Sequence, residues 1–278
     1  MKTILVPIDF SGPSEKALSV AKGIAAKTGA KLLLMYVYQP YISDIAIPET
    51  IYALPIYQQL EEQYRKQLND HSEQAKKEGL TAEAIWRAEG IHDAIIRQSK
   101  ESQADLIVMG RTGKGSFMDK LVGSSTTSIA KHASCPVLIV PAQTSKFSFE
   151  KIIYATQLEY EENEIIAQVT DLVKQLGATL TFLKVDAWTQ PDIQPDGQFI
   201  DEIKAQFNLA DNDIVVTKNQ RVIHGIEAYC DQVQADLIIV SSRERGFLEE
   251  HLINPSLTKK LVLDTHLPLL VYHLKPDQ

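Results

Sequence analysis

Short, almost wholly apolar runs alternate along this chain with longer stretches whose apolar residues recur every three or four positions. Ile4 to Ile8, Leu32 to Tyr38, Ala84 to Ala88, Leu106 to Met109 and Val137 to Val140 read as strands. Between the first two, Ala17, Leu18, Ala21, Ile24 and Ala25 keep helical spacing, and Gly29 stands where a helix stop is expected. Strands apolar on both faces, separated by amphipathic helices, predict a parallel sheet covered on both sides. Ligands of such sheets sit beyond the C-terminal strand ends, where the strand order reverses.

The same pattern occurs twice. Residues 3–37 align without a gap on residues 151–185, with Ile165, Ile166, Val169, Leu172 and Val173 forming the second helical stripe and Gly177 the second stop. The match resumes at Gln103-Ala104-Asp105 against Gln234-Ala235-Asp236, and the first half holds 17 more residues in between. Those extra residues follow Tyr38, where Pro40, Pro48 and Pro55 mark an irregular connection before a helix from about Ile56 to Gly79. Tyr57, Leu60, Tyr64, Leu68, His71 and Ala75 form its stripe, which reads as core packing ahead of a docking surface. The polar connector from Ala142 to Glu150 separates two expected domains, residues 1–143 and 150–278.

Composition narrows the function. A net charge of -8 argues against nucleic acid or an anionic membrane as the main partner. The charge is unevenly spread, with 16 basic and 15 acidic residues in 1–144 against 12 and 21 in 145–278. A polyanion is therefore better received by the first half. No apolar run reaches the length of a membrane span, and strand-like sequence begins directly after Met1-Lys2, so a cytoplasmic protein is expected. Cys135 and Cys230 have neither metal nor redox spacing and read as buried thiols. The seven histidines are scattered without a zinc pattern. Trp86 and Trp188 read as packing residues.

The chemistry concentrates after Met109, where Gly110, Gly113 and Gly123-Ser124 make the pattern G-x2-G-x9-G-S. Glycines at a strand's end let the backbone approach a ligand, and the Ser-rich start of a helix aims N–H groups at an anion. Ser124, Ser125, Thr126 and Thr127 suit both helix capping and phosphate binding, which use the same helix terminus. Arg111 and Lys114 flank the glycines, where they either neutralise phosphate or are simply solvated. Asp9, before Ser11, Pro13 and Ser14, has two readings: a helix-start residue, or a ligand for ribose hydroxyls or base amines. Walker A is excluded because Ser116 stands where its lysine belongs, and the G-x-G-x-x-G and G-x-S-x-G patterns are absent.

The runs V-P-I-D-F-S, D-L-I-V-M-G-R-x-G and G-S-S-T-x-S-I-A-x-H-A-x-C-P-V-L-I-V-P resemble the universal stress protein (UspA) family, and the resemblance covers the whole chain as a tandem of two units. It implies two Rossmann-like α/β domains of the adenine nucleotide alpha hydrolase-like type, each a five-stranded parallel sheet of order 3-2-1-4-5. It also implies ATP as the ligand, with Mg2+ as a candidate companion ion. Carried over, Gly110, Gly113, Gly123, Ser124, Ser125 and Thr126 hold phosphates and ribose, Asp9 and Val37 lie at the nucleoside end, and Pro7, Met109 and Arg111 complete the pocket. Family members commonly dimerise through their last strands. Val137 to Val140 and Leu269 to Tyr272 are thus expected to pair within this one chain, with a homodimer and an unidentified protein partner left open.

Every motif position changes in the second half: Asp9, Gly110, Gly113, Gly123 and Ser124 align with Gln157, Ser241, Glu244, Asn254 and Pro255. Pro255 removes a helix-start N–H donor. Glu244 sets a carboxylate at the phosphate position, a repulsion of about 4 kcal/mol at 4 Å and an effective dielectric near 20, against about 1.5 to 3 for a charged hydrogen bond. The expectation is a stress-response regulatory or sensor protein with one ATP site, in residues 1–143, and a scaffolding second half. The alternatives are slow ATP hydrolysis or phosphoryl transfer in the same crevice, and a nucleotide-independent interaction module that docks through the Ile56 to Gly79 helix. No catalytic residue is assigned, since no Walker lysine or carboxylate pair adjoins the glycines.

Overall fold

The computed structural model describes residues 1–38, 55–111, 128–130, 132–145, 149–156, 158, 162–187, 197–242, 260–262 and 265–273. In the first half the elements are β1 (Thr3–Pro7), α1 (Gly12–Thr28), β2 (Lys31–Val37), α2 (Pro55–Lys77), β3 (Ala82–Arg87), α3 (Ile91–Glu101), β4 (Leu106–Arg111) and β5 (Val137–Pro141). In the second they are β6 (Lys151–Ala155), α4 (Asn163–Leu176), β7 (Thr179–Ala187), α5 (Gly197–Phe207), β8 (Ile214–Asn219), α6 (Val222–Val233), β9 (Leu237–Ser242) and β10 (Leu269–His273).

Local chemistry accounts for the helix ends. Ser11 caps α1 from an extended conformation, its side chain accepting from Ser14 N, and Pro13 occupies the first turn, where its missing N–H costs nothing. Gly29 and Gly177 close α1 and α4 at φ 72° and 63°, a left-handed conformation that favours residues without a Cβ.

All ten strands form one sheet, in the order β3-β2-β1-β4-β5-β10-β9-β6-β7-β8. Each half has the order 3-2-1-4-5 with parallel pairings, and the halves join where β5 and β10 pair antiparallel, Ile139 opposite Leu269 and Val137 opposite Val271. The expected pairing of last strands is present inside the chain. One device recurs at the strand starts: Asp105 Oδ2 accepts the N–H groups of Lys2 and Thr3 at 2.6 and 2.8 Å, and Asp236 Oδ2 those of Glu150 and Lys151 at 3.1 Å each. The repeated Gln-Ala-Asp therefore ties the central strand of each half to its neighbour.

Both sheet faces are covered. On one, α1 and α4 carry Leu18, Ile24, Ile166 and Val169 into a core that also holds Val6, Leu34, Tyr154 and Phe182; α1 packs on α4 across the halves, and Lys27 Nζ donates to Leu176 O at 2.6 Å. On the other, α3 and α6 cover Leu5, Ile107, Ile153 and Ile238 through Ile95 and Ile226. The α2 stripe divides: Leu68 and Ala75 are buried, whereas Leu60 is 37% exposed. Among the described residues no helix is long and apolar enough to cross a membrane. Cys135 and Cys230 are free and buried, and burial pushes both thiols up to about 12, so they stay protonated at neutral pH.

Candidate functional site

The first-half crevice lies at the C-terminal ends of β2, β1 and β4, which are neighbours in the sheet. β1 runs beside β4 with Leu5 opposite Ile107, so Pro7 comes level with Met109, and on its other side Pro7 pairs with Met35, two residues before Val37. Pro7, Asp9, Val37, Met109, Gly110 and Arg111 thus gather at one edge of the sheet. Gly113, Gly123, Ser124, Ser125 and Thr126 lie outside the described residues, as do Gln157, Glu244, Asn254 and Pro255 of the second half.

Asp9 is exposed, and its Oδ1 accepts from Ser11 N at 3.0 Å and Ser11 Oγ at 2.5 Å. It therefore orients the capping residue of α1, as the helix-start reading requires. Its Oδ2 has no hydrogen bond among the described residues, which leaves one oxygen for a ligand.

Gly110 has a packing role that the glycine pattern did not reveal. A Cβ there would lie 2.4 Å from the carbonyl carbon and oxygen of Pro13 and 2.8 Å from Ser14 N. The start of α1 rests directly on the end of β4, and only a residue without a side chain permits it. Arg111 is also more than a loop cation: it is 6% exposed, and its Nη2 donates to Thr265 O in the second half.

Phe10, between Asp9 and Ser11, has φ 61° and is held by rings. It stacks on Tyr36 at 5.0 Å, Tyr64 at 5.9 Å and His71 at 5.7 Å, and Tyr36 continues to Trp86 at 5.1 Å. The Arg65 guanidinium covers Trp86 at 4.1 Å, and His71 Nε2 meets Glu15 Oε1 at 3.1 Å. Burial, with Tyr64 and Asp9 adding to it, pushes the Tyr36 phenol up to about 12. Trp86 is thus a packing residue, and α2 is clamped to the loop that carries Asp9. Leu158 has the corresponding conformation in the second half, at φ 58°, so Phe10→Leu keeps the backbone. Three ring contacts are lost in that variant, and urea unfolding is expected to show a loss of about 2 kcal/mol at an unchanged m value.

The corresponding crevice of the second half is filled by its own side chains. Glu162, which aligns with Ser14, is 2% exposed. Its Oε1 accepts from Tyr154 Oη at 2.9 Å and Ser241 Oγ at 2.7 Å, and its Oε2 accepts from Thr156 Oγ1 at 2.5 Å. Burial and the Glu162 carboxylate hold the Tyr154 phenol well above its usual range. Ser241 stands where Gly110 stands in the first half, so the space used there for helix contact here carries a hydrogen-bonded side chain. A cavity of about 60 Å³ remains beside Ala155, Leu183 and Val240, far below the roughly 300 Å³ at which ligand pockets begin. Sequence reasoning did not find Glu162, an acidic residue among several, because only its burial sets it apart.

One doubly wound sheet built from two copies of the 3-2-1-4-5 strand order defines a tandem α/β protein of two repeated units. The model of the Universal stress protein family matches residues 1–141 and again 148–273, and the chain belongs to that family. It is 30% identical over 145 residues to a universal stress protein of Thermus aquaticus, encoded in the QAH/OAS sulfhydrylase 3' region, covering 50% of this chain and 98% of the relative. It is also 30% identical over 144 residues to universal stress protein YxiE of Bacillus subtilis, covering 49% and 97%. A universal stress protein structure from Archaeoglobus fulgidus shares the fold over 98% of both chains, with TM-score 0.78 at 20% identity.

Proposed function

We propose that residues 1–143 bind one ATP as a regulatory ligand in a cytoplasmic stress-response protein, and that residues 150–278 serve as scaffold. The observation that carries this reading is the contrast between the crevices. The first has the glycine pattern, a side-chain-free strand end at Gly110 and an available Asp9 oxygen, whereas the second holds the buried Glu162 with Tyr154, Thr156 and Ser241 around it. A buried carboxylate repels phosphate, and its hydrogen-bond partners are already engaged. In this reading Gly110, Gly113, Gly123, Ser124, Ser125 and Thr126 receive phosphates and ribose. Asp9, Pro7, Val37 and Met109 line the nucleoside end, Mg2+ enters with the phosphates, and Arg111, its guanidinium buried against Thr265 O, holds the end of β4 in place. Because β5 and β10 already pair within the chain, any homodimer has to use another surface.

Calorimetric titration with ATP is expected to give one site per chain, and Gly123→Asp to remove it without changing the far-ultraviolet circular dichroism. Two equal sites, no site in the wild type, or unchanged affinity in Gly123→Asp would overturn the reading. Motif-dependent ADP release in the same samples would favour the hydrolytic alternative.

A further inference from the structure

Arg111 ends β4 beside Gly110, level with Pro141 at the end of β5, and its side chain reaches past β5 into the second half. There its Nη2 donates to Thr265 O, 154 positions along the chain. Thr265 is 1% exposed and closes a helical turn, its N–H bonding Leu261 O at 3.1 Å. Carbonyls at a helix end have no partner within the helix and carry partial negative charge, so a buried one needs a donor from elsewhere and a cation is favoured.

Thr265 is tied in turn to its surroundings. Its Oγ1 accepts from Leu267 N at 3.2 Å, the next residue His266 meets Asp231 Oδ1 of α6 at 3.2 Å, and Pro268 O accepts from Ile238 N of β9 at 3.0 Å. β10 begins directly afterwards, at Leu269. The Arg111 guanidinium therefore links the strand end that carries Gly110 to the junction of α6, β9 and β10. The reverse link is not built. Ala133 ends the matching turn of the first half in the same way, its N–H bonding Ile129 O at 2.9 Å, but Arg111 aligns with Ser242, whose side chain is too short to cross a neighbouring strand about 4.8 Å away.

We propose that Arg111 couples the two halves: ATP in the first-half crevice restrains the end of β4 and, through Arg111, lowers the local opening of residues 265–269 in the second half. The coupling rests on the ATP reading. A ligand that stiffens one end of a linked pair reduces the cost of ordering the other, and such coupling acts equally in both directions. The second half is then more than a scaffold, because its grip on Arg111 also tightens ATP binding.

Amide hydrogen exchange on the full chain, with and without saturating ATP, tests this. In the wild type ATP is expected to slow exchange at Thr265, Leu267 and Ile238 about five- to tenfold, at the low end of ordinary coupling factors, and to leave β8 unchanged. Arg111→Met, similar in length but without donors, is expected to abolish that protection and to weaken ATP binding by the same factor. Arg111→Gln, polar but too short to reach Thr265, is expected to do likewise, so either variant that keeps the wild-type circular dichroism decides. A purely structural role would lower Tm in both variants without altering the ATP-dependent difference in exchange. Wild-type protein that binds ATP with no slowing at those amides overturns the coupling alone, as does undiminished protection in a folded variant. A wild type that binds no ATP overturns the ATP reading and the coupling together.

Discussion

Gly110→Ala will destabilise the protein by about 3 kcal/mol, the upper end of ordinary overpacking. The added Cβ would sit 2.4 Å from Pro13 C and O, atoms of the backbone in the first turn of α1 that cannot rotate aside as a flexible side chain would. Relief requires moving the helix start away from β4, yet Ser11 and Asp9 tie that start to the end of β1. The measurement is the urea midpoint at constant m, and a change under about 0.5 kcal/mol would mean that α1 retreats freely. A lost nucleotide in this variant would therefore not identify a phosphate contact, which is why Gly123→Asp is the cleaner test of binding.

Glu162→Ala is expected to cost about 3 to 5 kcal/mol. Tyr154, Thr156 and Ser241 would each lose a buried acceptor, and an unsatisfied buried polar group costs about 1 to 3 kcal/mol before water partly refills the space. Glu162→Gln should cost less, about 1 to 2 kcal/mol, because its amide oxygen still accepts from two donors. Thr156 Oγ1, which already accepts Leu158 N at 2.8 Å, would then face an amide NH2 group. Guanidinium melts of both variants check the ordering. A loss below about 1 kcal/mol for Glu162→Ala would show that the network contributes little.

Much of the architecture was legible in the chain. Apolar runs located β1, β2, β4 and β5 to within a residue or two, and Gly29 and Gly177 marked helix ends because a left-handed residue is a local requirement. The repeat revealed two units, and the resemblance carried the strand order. The site was less legible. Asp9 appeared as two competing readings, and the structure finds it at the helix start with one oxygen left over, which accommodates both. Gly110 looked like a ligand glycine, and its contact with Pro13 is visible only once α1 lies on β4. Arg111 looked like a solvated or phosphate-facing cation, and it is buried against the other half.

The sequence by itself determined the repeated α/β pattern, the helix limits and the asymmetry between a complete glycine motif and a changed one, because periodicity, capping and residue identity act over a few neighbouring positions. Tertiary structure alone decided that Glu162 is a buried acceptor and that Arg111 joins the halves. Those properties depend on residues from about 80 to more than 150 positions apart meeting across the sheet, and burial then sets how much each polar group matters.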